Sequence, residues 1–486
     1  MNRPKLKISK WLLFIIFINI IIRLPSLLDP VYYGDECIYL TLGQALRKGL
    51  VFYRDIHDNK PPLLYFMAAL AGGQQNWFRF ITITWTSINI FFIYKLAEEI
   101  FTKKHYQILA SGLFLLFSFL PEGRIANGEN FMIMPFTVAV WLLFKYRFFW
   151  WAGILASLAF LFKIPIVFDF IAVWLALFIY KEQKLEKIFQ QFKKRNIYVF
   201  SAAFILPIAI SIFYYSIKGA FTPYVRSALM QNIGYLSSWG DQSNNAGFLA
   251  SNQGLVIRGL IVFGLSLYLF WRRKNLGFKF TFFALWFIFA LFGVLLSERP
   301  YPHYFIELAP SAAFLLTLAC TNITRAEKII ITAFLFSLFF LAKSYYHFWS
   351  YPLIPYYQNF ASFVLGGKDK SAYFAFFGSN VESDYQIASY IKTHTSPNDR
   401  IFVWGNGACI YALSDRLPPG KYTVNYHIYD FNGYDETIKA INQKEPKLII
   451  KLNTEQRNFP ALEAILNINY LKSTQIMQGN IYQRVN

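Results

Sequence analysis

Residues 10–40 read KWLLFIIFINIIIRLPSLLDPVYYGDECIYL, an apolar run from Trp11 to about Leu28 followed within a few residues by an acidic pair, Asp35-Glu36. The run is long enough to cross a hydrocarbon core of ~30 Å. Arg3, Lys5, Lys7 and Lys10 precede it, and no small-residue cleavage site follows. It therefore reads as an uncleaved first span with the N-terminus in the cytoplasm.

Working outward, apolar runs recur at 78–98, 106–121, 131–146, 148–163, 164–180, 197–216, 255–271, 277–296, 303–320 and 328–346. With the first, these predict about eleven crossings and place the C-terminus on the outer side. The basic residues support that register. Lys95, Lys103, Lys104, Lys145, Arg147, the run from Lys181 to Arg195, Arg272, Arg273, Lys274, Arg325 and Lys328 all fall in the predicted inner loops, as the positive-inside rule requires.

Composition agrees. Of the 486 residues 56% are hydrophobic and 20% aromatic, while only 15% are charged, against about 25% in soluble domains. An ordinary soluble enzyme is excluded. The net charge of +20 would suggest nucleic acid on a soluble chain, but its confinement to short stretches between apolar runs assigns it to cytoplasmic loops. Cys37, Cys320 and Cys409 are far apart, and neither a disulfide framework nor a zinc site follows from their spacing.

Two regions depart from the spanning pattern. Pro61–Gly72 is apolar but too short to span and reads as an interfacial or re-entrant helix, with prolines suited to its first turn. From about Ser350 the chain is much more polar. It carries helix signals at Tyr385–Thr393 and Asp435–Asn442 and strand signals at Arg400–Trp404 and Lys447–Leu452. The predicted architecture is an all-α polytopic membrane domain, 1–349, with a first outer loop at 29–77, and a small extracytoplasmic α/β domain, 350–486. Gly405-Asn406-Gly407 reads as a strand-to-helix turn, lacking the rest of a phosphate-binding fingerprint. Trp404, Tyr411 and Tyr422 suit either saccharide contact or a domain core. The Ser-, Asn- and Gly-rich loop Phe221–Gly254 reads as a mobile cover.

Ionisable groups are costly near a bilayer, so where they gather is informative. The first outer loop, VYYGDECIYLTLGQALRKGLVFYRDIHDNKPPLLY, carries Asp35, Glu36, His57, Asp58 and Lys60. Ile38, Leu42, Ala45 and Leu46 share one face of a helix between the two clusters, predicted to lie along the interface. The acidic pair can serve as a general base with its orienting partner or occupy a helix first turn. Lys60 can pair with a lipid phosphate or snorkel to ordinary anionic lipid. His57 is a proton carrier or a hydrogen-bonding loop residue. PEGRIANGENF adds Arg124 and Glu129, and SERPYPHYFIELAP adds Arg299, His303 and Glu307. His303 and Glu307, four apart, are expected to share a helix face.

These motifs resemble the GT-C class of integral-membrane glycosyltransferases, in the branch of protein O-mannosyltransferases and lipid A aminoarabinose transferases. The resemblance rests on Asp35-Glu36 in YYGDECIYL, Lys60-Pro61-Pro62-Leu63 in HDNKPPLLYF, Arg79 at the start of the following span, Arg124 and Glu129, and RPYPHYFIELAP. It covers roughly residues 10–320. It implies a donor sugar on a polyprenyl phosphate, undecaprenyl or dolichyl, and an outer-face acceptor that is a protein, lipid or glycan. Asp35, with Glu36, would act as base, inverting the anomeric carbon. Lys60, Arg79, Arg124 and Arg299 would hold the donor phosphate, and His57, Asp58, Glu129, His303 and Glu307 would line the substrate site. No metal ligand set is implied, although Asp35, Glu36 and Asp58 offer oxygens to a divalent cation. The competing reading is a transporter or flippase of lipid-linked sugars. Such a protein would show inverted repeats and polar breaks near the midplane, and neither is evident. A structural subunit, the third option, has no need of a dense ionisable cluster.

Overall fold

The computed structural model describes residues 9–179, 194–231, 253–296, 299, 301–345 and 352–485. Most of the basic run Lys181–Arg195 and most of the expected cover loop Phe221–Gly254 lie outside the described residues.

Every apolar run coincides with a helix. They are Lys10–Arg23, Gln75–Ile100, Lys104–Phe119, Gly128–Lys145, Phe149–Phe162, Ile166–Ile179, Lys194–Ile217, Gln253–Arg272, Phe278–Val294, Ala309–Ala319 and Arg325–Phe340. Among the described residues four stretches are long and apolar enough to cross a membrane by length and composition: Lys10–Leu28, Gln75–Ile100, Arg195–Ile217 and Gln253–Arg272. Phe149–Phe162, Ile166–Phe178 and Phe278–Val294 are apolar but shorter. The break between the first two of these has a local cause. Pro165 supplies no amide proton, and it disfavours helical geometry at Ile164, so the helix ends at Phe162 and restarts at Ile166.

The chain forms two compact units. The first comprises Met1–Arg23, Thr82–Ile212 and Leu229–Tyr351. Its helices bury small and aromatic side chains against one another and leave large apolar ones outward, among them Ile210, Leu260, Phe263 and Trp271. Exposed apolar faces of that extent suit lipid, not water. Gly153 lets two helices meet, because a Cβ there would sit 2.4 Å from the Phe200 carbonyl oxygen. Buried polar side chains join others: Asn19 donates to Thr86 and Ser87 at 3.2 and 2.9 Å, and Arg23 donates to the Gly123 carbonyl at 3.2 Å.

The second unit comprises Leu24–Ile81, Phe213–Ala228 and Pro352–Asn486. Its sheet has the order β1-β2-β4-β3, with β1 Ile401–Trp404, β2 Leu448–Leu452, β3 Tyr470–Ile476 and β4 Gly479–Arg484. The first pair is parallel, and the others are antiparallel. Both faces are covered. Ile387, Ile391, Val403, Ile450 and Ile481 pack on one side, and Trp404, Ile449, Phe459, Leu462 and Leu466 on the other. Trp404, Tyr411 and Tyr422 are core residues. Trp404 packs 4.9 Å from the Phe459 ring, and the Tyr411 hydroxyl accepts from the Val403 amide at 2.8 Å.

One expectation is corrected here, and the pairing of the cysteines, open in the sequence, is given by the fold. The helix after the acidic pair, Gly34–Arg47, is buried on all sides from Glu36 to Ala45 and presents no polar face. Its neighbours are the helices Leu63–Leu70 and Ala408–Ser414. Cys37 and Cys409, whose spacing implies no disulfide framework, form a disulfide. Their separation of 372 residues gives no spacing signal, and only the fold brings them together.

Candidate functional site

Within the second unit, the loop from Pro30 to Leu63 is held by a buried ionic network. Arg79, fully buried, donates through Nε and Nη2 to the Glu36 carboxylate at 3.0 and 2.6 Å. Its Nη1 donates to Asp29 at 2.8 Å and to the Ser26 carbonyl at 2.7 Å. Tyr356 and Tyr373 donate to the other Asp29 oxygen at 3.0 and 3.3 Å. A guanidinium matched to two carboxylates by hydrogen bonds satisfies charges that would otherwise be prohibitive to bury.

Asp35, one residue before Glu36, points the other way. Its side chain is 37% exposed. The Tyr39 hydroxyl donates to it at 3.1 Å, and the Lys60 ammonium lies 3.7 Å away. Lys60 also stands 3.8 Å from Asp58 and over the Tyr39 ring, 5.0 Å from its centroid. Its backbone is fixed, since the Lys60 carbonyl accepts from the Tyr53 hydroxyl at 2.8 Å. Asp58 is buried and accepts from the Tyr65 hydroxyl and the Asn59 amide, both at 2.7 Å. The loop thus offers a carboxylate with an ammonium beside it on a rigid frame.

His57 is buried against Tyr422, His427 and Phe431, with Ser227 Oγ 3.2 Å from Nδ1. Burial, then the charges of His427, Lys421 and Arg226, hold its pKa well below the usual histidine value. His427, which the sequence reading did not single out, lies 3.7 Å from Asp58, and burial brings it down to about 4. Both imidazoles are neutral at pH 7.

The first unit gathers the remaining predicted residues. Glu129 is paired with Lys163, whose ammonium stands 4.2 Å from the Tyr304 ring centroid. Arg124 is buried, and Arg299 is partly exposed. His303 and Glu307 do not pair as expected. They lie in a 3-10 helix, Pro302–Leu308, and at three residues per turn positions four apart point in different directions. His303 Nδ1 instead lies 3.0 Å from Glu122. Glu307 shares a hydrogen bond with Asp169, which also accepts from the Trp286 indole. Lys163 and Asp169 were overlooked. Their signal was present, because an ionisable residue inside an apolar run is a functional candidate by default.

Among the described residues no group of three or more His, Cys, Asp or Glu is arranged to hold a metal ion. Of the three carboxylates weighed for a cation, Glu36 is committed to Arg79 and Asp58 to Tyr65 and Asn59.

Residues 59–215 match the family of dolichyl-phosphate-mannose-protein mannosyltransferases, a segment that includes Lys60-Pro61-Pro62-Leu63, Arg79, Arg124 and Glu129 but not Asp35-Glu36. No curated protein matches the chain in sequence. Among solved structures, ArnT from Cupriavidus metallidurans, bound to undecaprenyl phosphate and in the apo state, superposes with a TM-score of 0.57 at 12% identity, covering 98% of each chain. The likeness in sequence is thus to that family over residues 59–215, and the likeness in fold, over nearly the whole chain, is to ArnT.

Proposed function

We propose that the protein is a membrane glycosyltransferase that moves a sugar from a polyprenyl-phosphate-linked donor to an acceptor hydroxyl on the outer face, with inversion, Asp35 acting as general base. The mannosyltransferase family segment and the fold shared with a structure that binds undecaprenyl phosphate support the reaction class and the donor.

One observation carries the choice of base. Asp29, Glu36 and Asp58 are buried, and Asp55 accepts from Nε and Nη2 of Arg54 at 2.7 and 2.9 Å. Asp35 alone in the loop combines a solvent-facing carboxylate with an adjacent ammonium. In the step, the Asp35 carboxylate takes the proton of the acceptor hydroxyl as its oxygen attacks the anomeric carbon. The bond from that carbon to the phosphate oxygen breaks, and polyprenyl phosphate leaves. Negative charge grows on the departing phosphate, where a positioned cation such as Lys60 stabilises the transition state most. Glu36 and Arg79 fix the helix that presents Asp35 and have a positioning role. The Cys37–Cys409 disulfide supports placing this loop and the C-terminal domain outside the cytoplasm, where such bonds persist.

Attack from the face opposite the phosphate inverts the centre. NMR of the product is expected to show the anomeric configuration opposite to that of the donor. Retention would contradict a single displacement assisted by Asp35.

A further inference from the structure

The parallel strands β1 and β2 end side by side, and ligands of α/β sheets bind in the crevice beyond the carboxyl ends of such strands. Here that crevice is a cavity of about 180 Å³, far more than the 10–15 Å³ that a single water needs. Asn406, Thr454 and Glu455 reach it from the two strand ends, and Asn380, Ser383 and Asp384 from the start of the helix Val381–His394. The glycines flanking Asn406 are required. A Cβ on Gly405, whose φ is +141°, would sit 2.8 Å from Leu452, and one on Gly407 would sit 2.3 Å from Val403. The turn read from sequence therefore packs tightly on the sheet and holds Asn406 at the rim. Gln478 closes the wall, donating to Asn380 at 2.7 Å.

The chemistry of the lining is selective. It contains carboxyl, amide and hydroxyl groups and no Lys or Arg, and Arg457 beside it is paired with the lining's own Glu455 at 4.0 Å, so a phosphate or other anion meets carboxylates before a counter-charge. Leu452 is its one apolar member, which does not suit an acyl chain. Paired carboxyl and amide groups are what adjacent hydroxyls of a sugar ring need, each hydroxyl both donating and accepting. Burial raises the Asp384 carboxyl to about 7, so near neutrality it can serve in either role.

We infer that this cavity binds a neutral sugar residue of the acceptor, making the C-terminal domain a saccharide-holding module. The inference rests on the glycosyltransferase reading for its word acceptor, but the binding itself is measurable without any transfer.

The test uses the full-length protein in lipid nanodiscs and saturation-transfer NMR, with methyl α-mannopyranoside and methyl β-glucopyranoside as neutral probes, methyl β-glucosaminide as a cationic one and inorganic phosphate as competitor. Asn406→Ala and Thr454→Ala alter exposed side chains and leave the core untouched. The expected result is saturation transfer to a neutral glycoside, undiminished by phosphate, weakened about tenfold in affinity in each variant, and retained in Asp35→Asn. No transfer to either neutral glycoside, equal signals in the variants, displacement by phosphate, or binding of the cationic glycoside alone would overturn it. Glycoside binding by a protein that forms no glycosidic product would sink the enzymatic reading and leave this one standing. Product formation without glycoside binding would do the reverse.

Discussion

Adjacent carboxylates at 35 and 36 carry opposite fates, and burial decides which does what. Glu36 faces inward onto Arg79 and is spent on structure, whereas Asp35 faces outward beside Lys60. Removing one member of a buried ion pair leaves the other charge uncompensated, at a cost of about 3–5 kcal/mol. Glu36→Gln and Arg79→Met are therefore expected to lower the thermal midpoint in detergent markedly, while Asp35→Asn leaves it unchanged. Equal losses in all three would contradict the division of labour. The two buried histidines make a second prediction at this scale. His427 titrates near 4 in the fold and near 6.5 when unfolded, so between those values the unfolded chain binds the extra proton. Stability is then complete above about pH 6.5 and lost as pH falls toward 4, by about 3 kcal/mol for this group. Asp384, raised to about 7, acts with the opposite sign across that window. The comparison of wild type with His427→Gln isolates the histidine, and the variant's midpoint should fall less on acidification. A parallel decline in both proteins would refute the assignment.

Among the elements, the helix Gly34–Arg47 does most to present the candidate base. Gly43 lets the backbone of Leu63–Leu70 approach, since a Cβ there would lie 2.7 Å from the Ala68 carbonyl carbon. Gly43→Ala should therefore destabilise by about 1–3 kcal/mol, seen as a lower thermal midpoint; an unchanged one would mean the contact relaxes freely. On the opposite flank the helix is tied to Ala408–Ser414 by the disulfide, by Thr41 donating to the Ala408 carbonyl at 3.2 Å and by Gln44 donating to the Ala412 carbonyl at 2.9 Å. Losing a native disulfide typically costs about 2–4 kcal/mol. Cys409→Ser is expected to increase hydrogen exchange in both helices, and unaltered exchange would show the link to be redundant. None of this was legible in the sequence. Apolar spacing revealed that the helix exists, but a helix buried on every side needs partners at 68 and 409, and no local pattern names them.

Across the whole molecule, what could be read was what depends on near neighbours in the chain. The apolar runs at 78–98 and 197–216 became the helices Gln75–Ile100 and Lys194–Ile217, and the strand signals at Arg400–Trp404 and Lys447–Leu452 became β1 and β2. The antiparallel pair β3 and β4 went unseen because YLKSTQI and GNIYQR are short and polar, and β3 buries little beyond Tyr470. β4 takes its register from β2 and β3 from β4, not from their own alternation. The chemical residues divide in the same way. Asp35 and Lys60 stand out by motif and loop position, and Lys163 and Asp169 by being ionisable inside apolar runs, whereas Arg79, expected at the donor phosphate, lies buried against Glu36 and Asp29, and His427 acquires meaning only beside Asp58. The transporter reading and the enzymatic reading use the same cations, so they separate by product and not by binding. The decisive measurement is transfer in proteoliposomes, with polyprenyl-phosphate sugars and a crude acceptor extract supplied to wild type and to Asp35→Asn. The expected result is a glycosidic product from the wild type and a rate lower by about 10²–10⁴-fold in the variant. Equal transfer by both, or lipid-linked sugar crossing the bilayer with no glycosidic product, would contradict it.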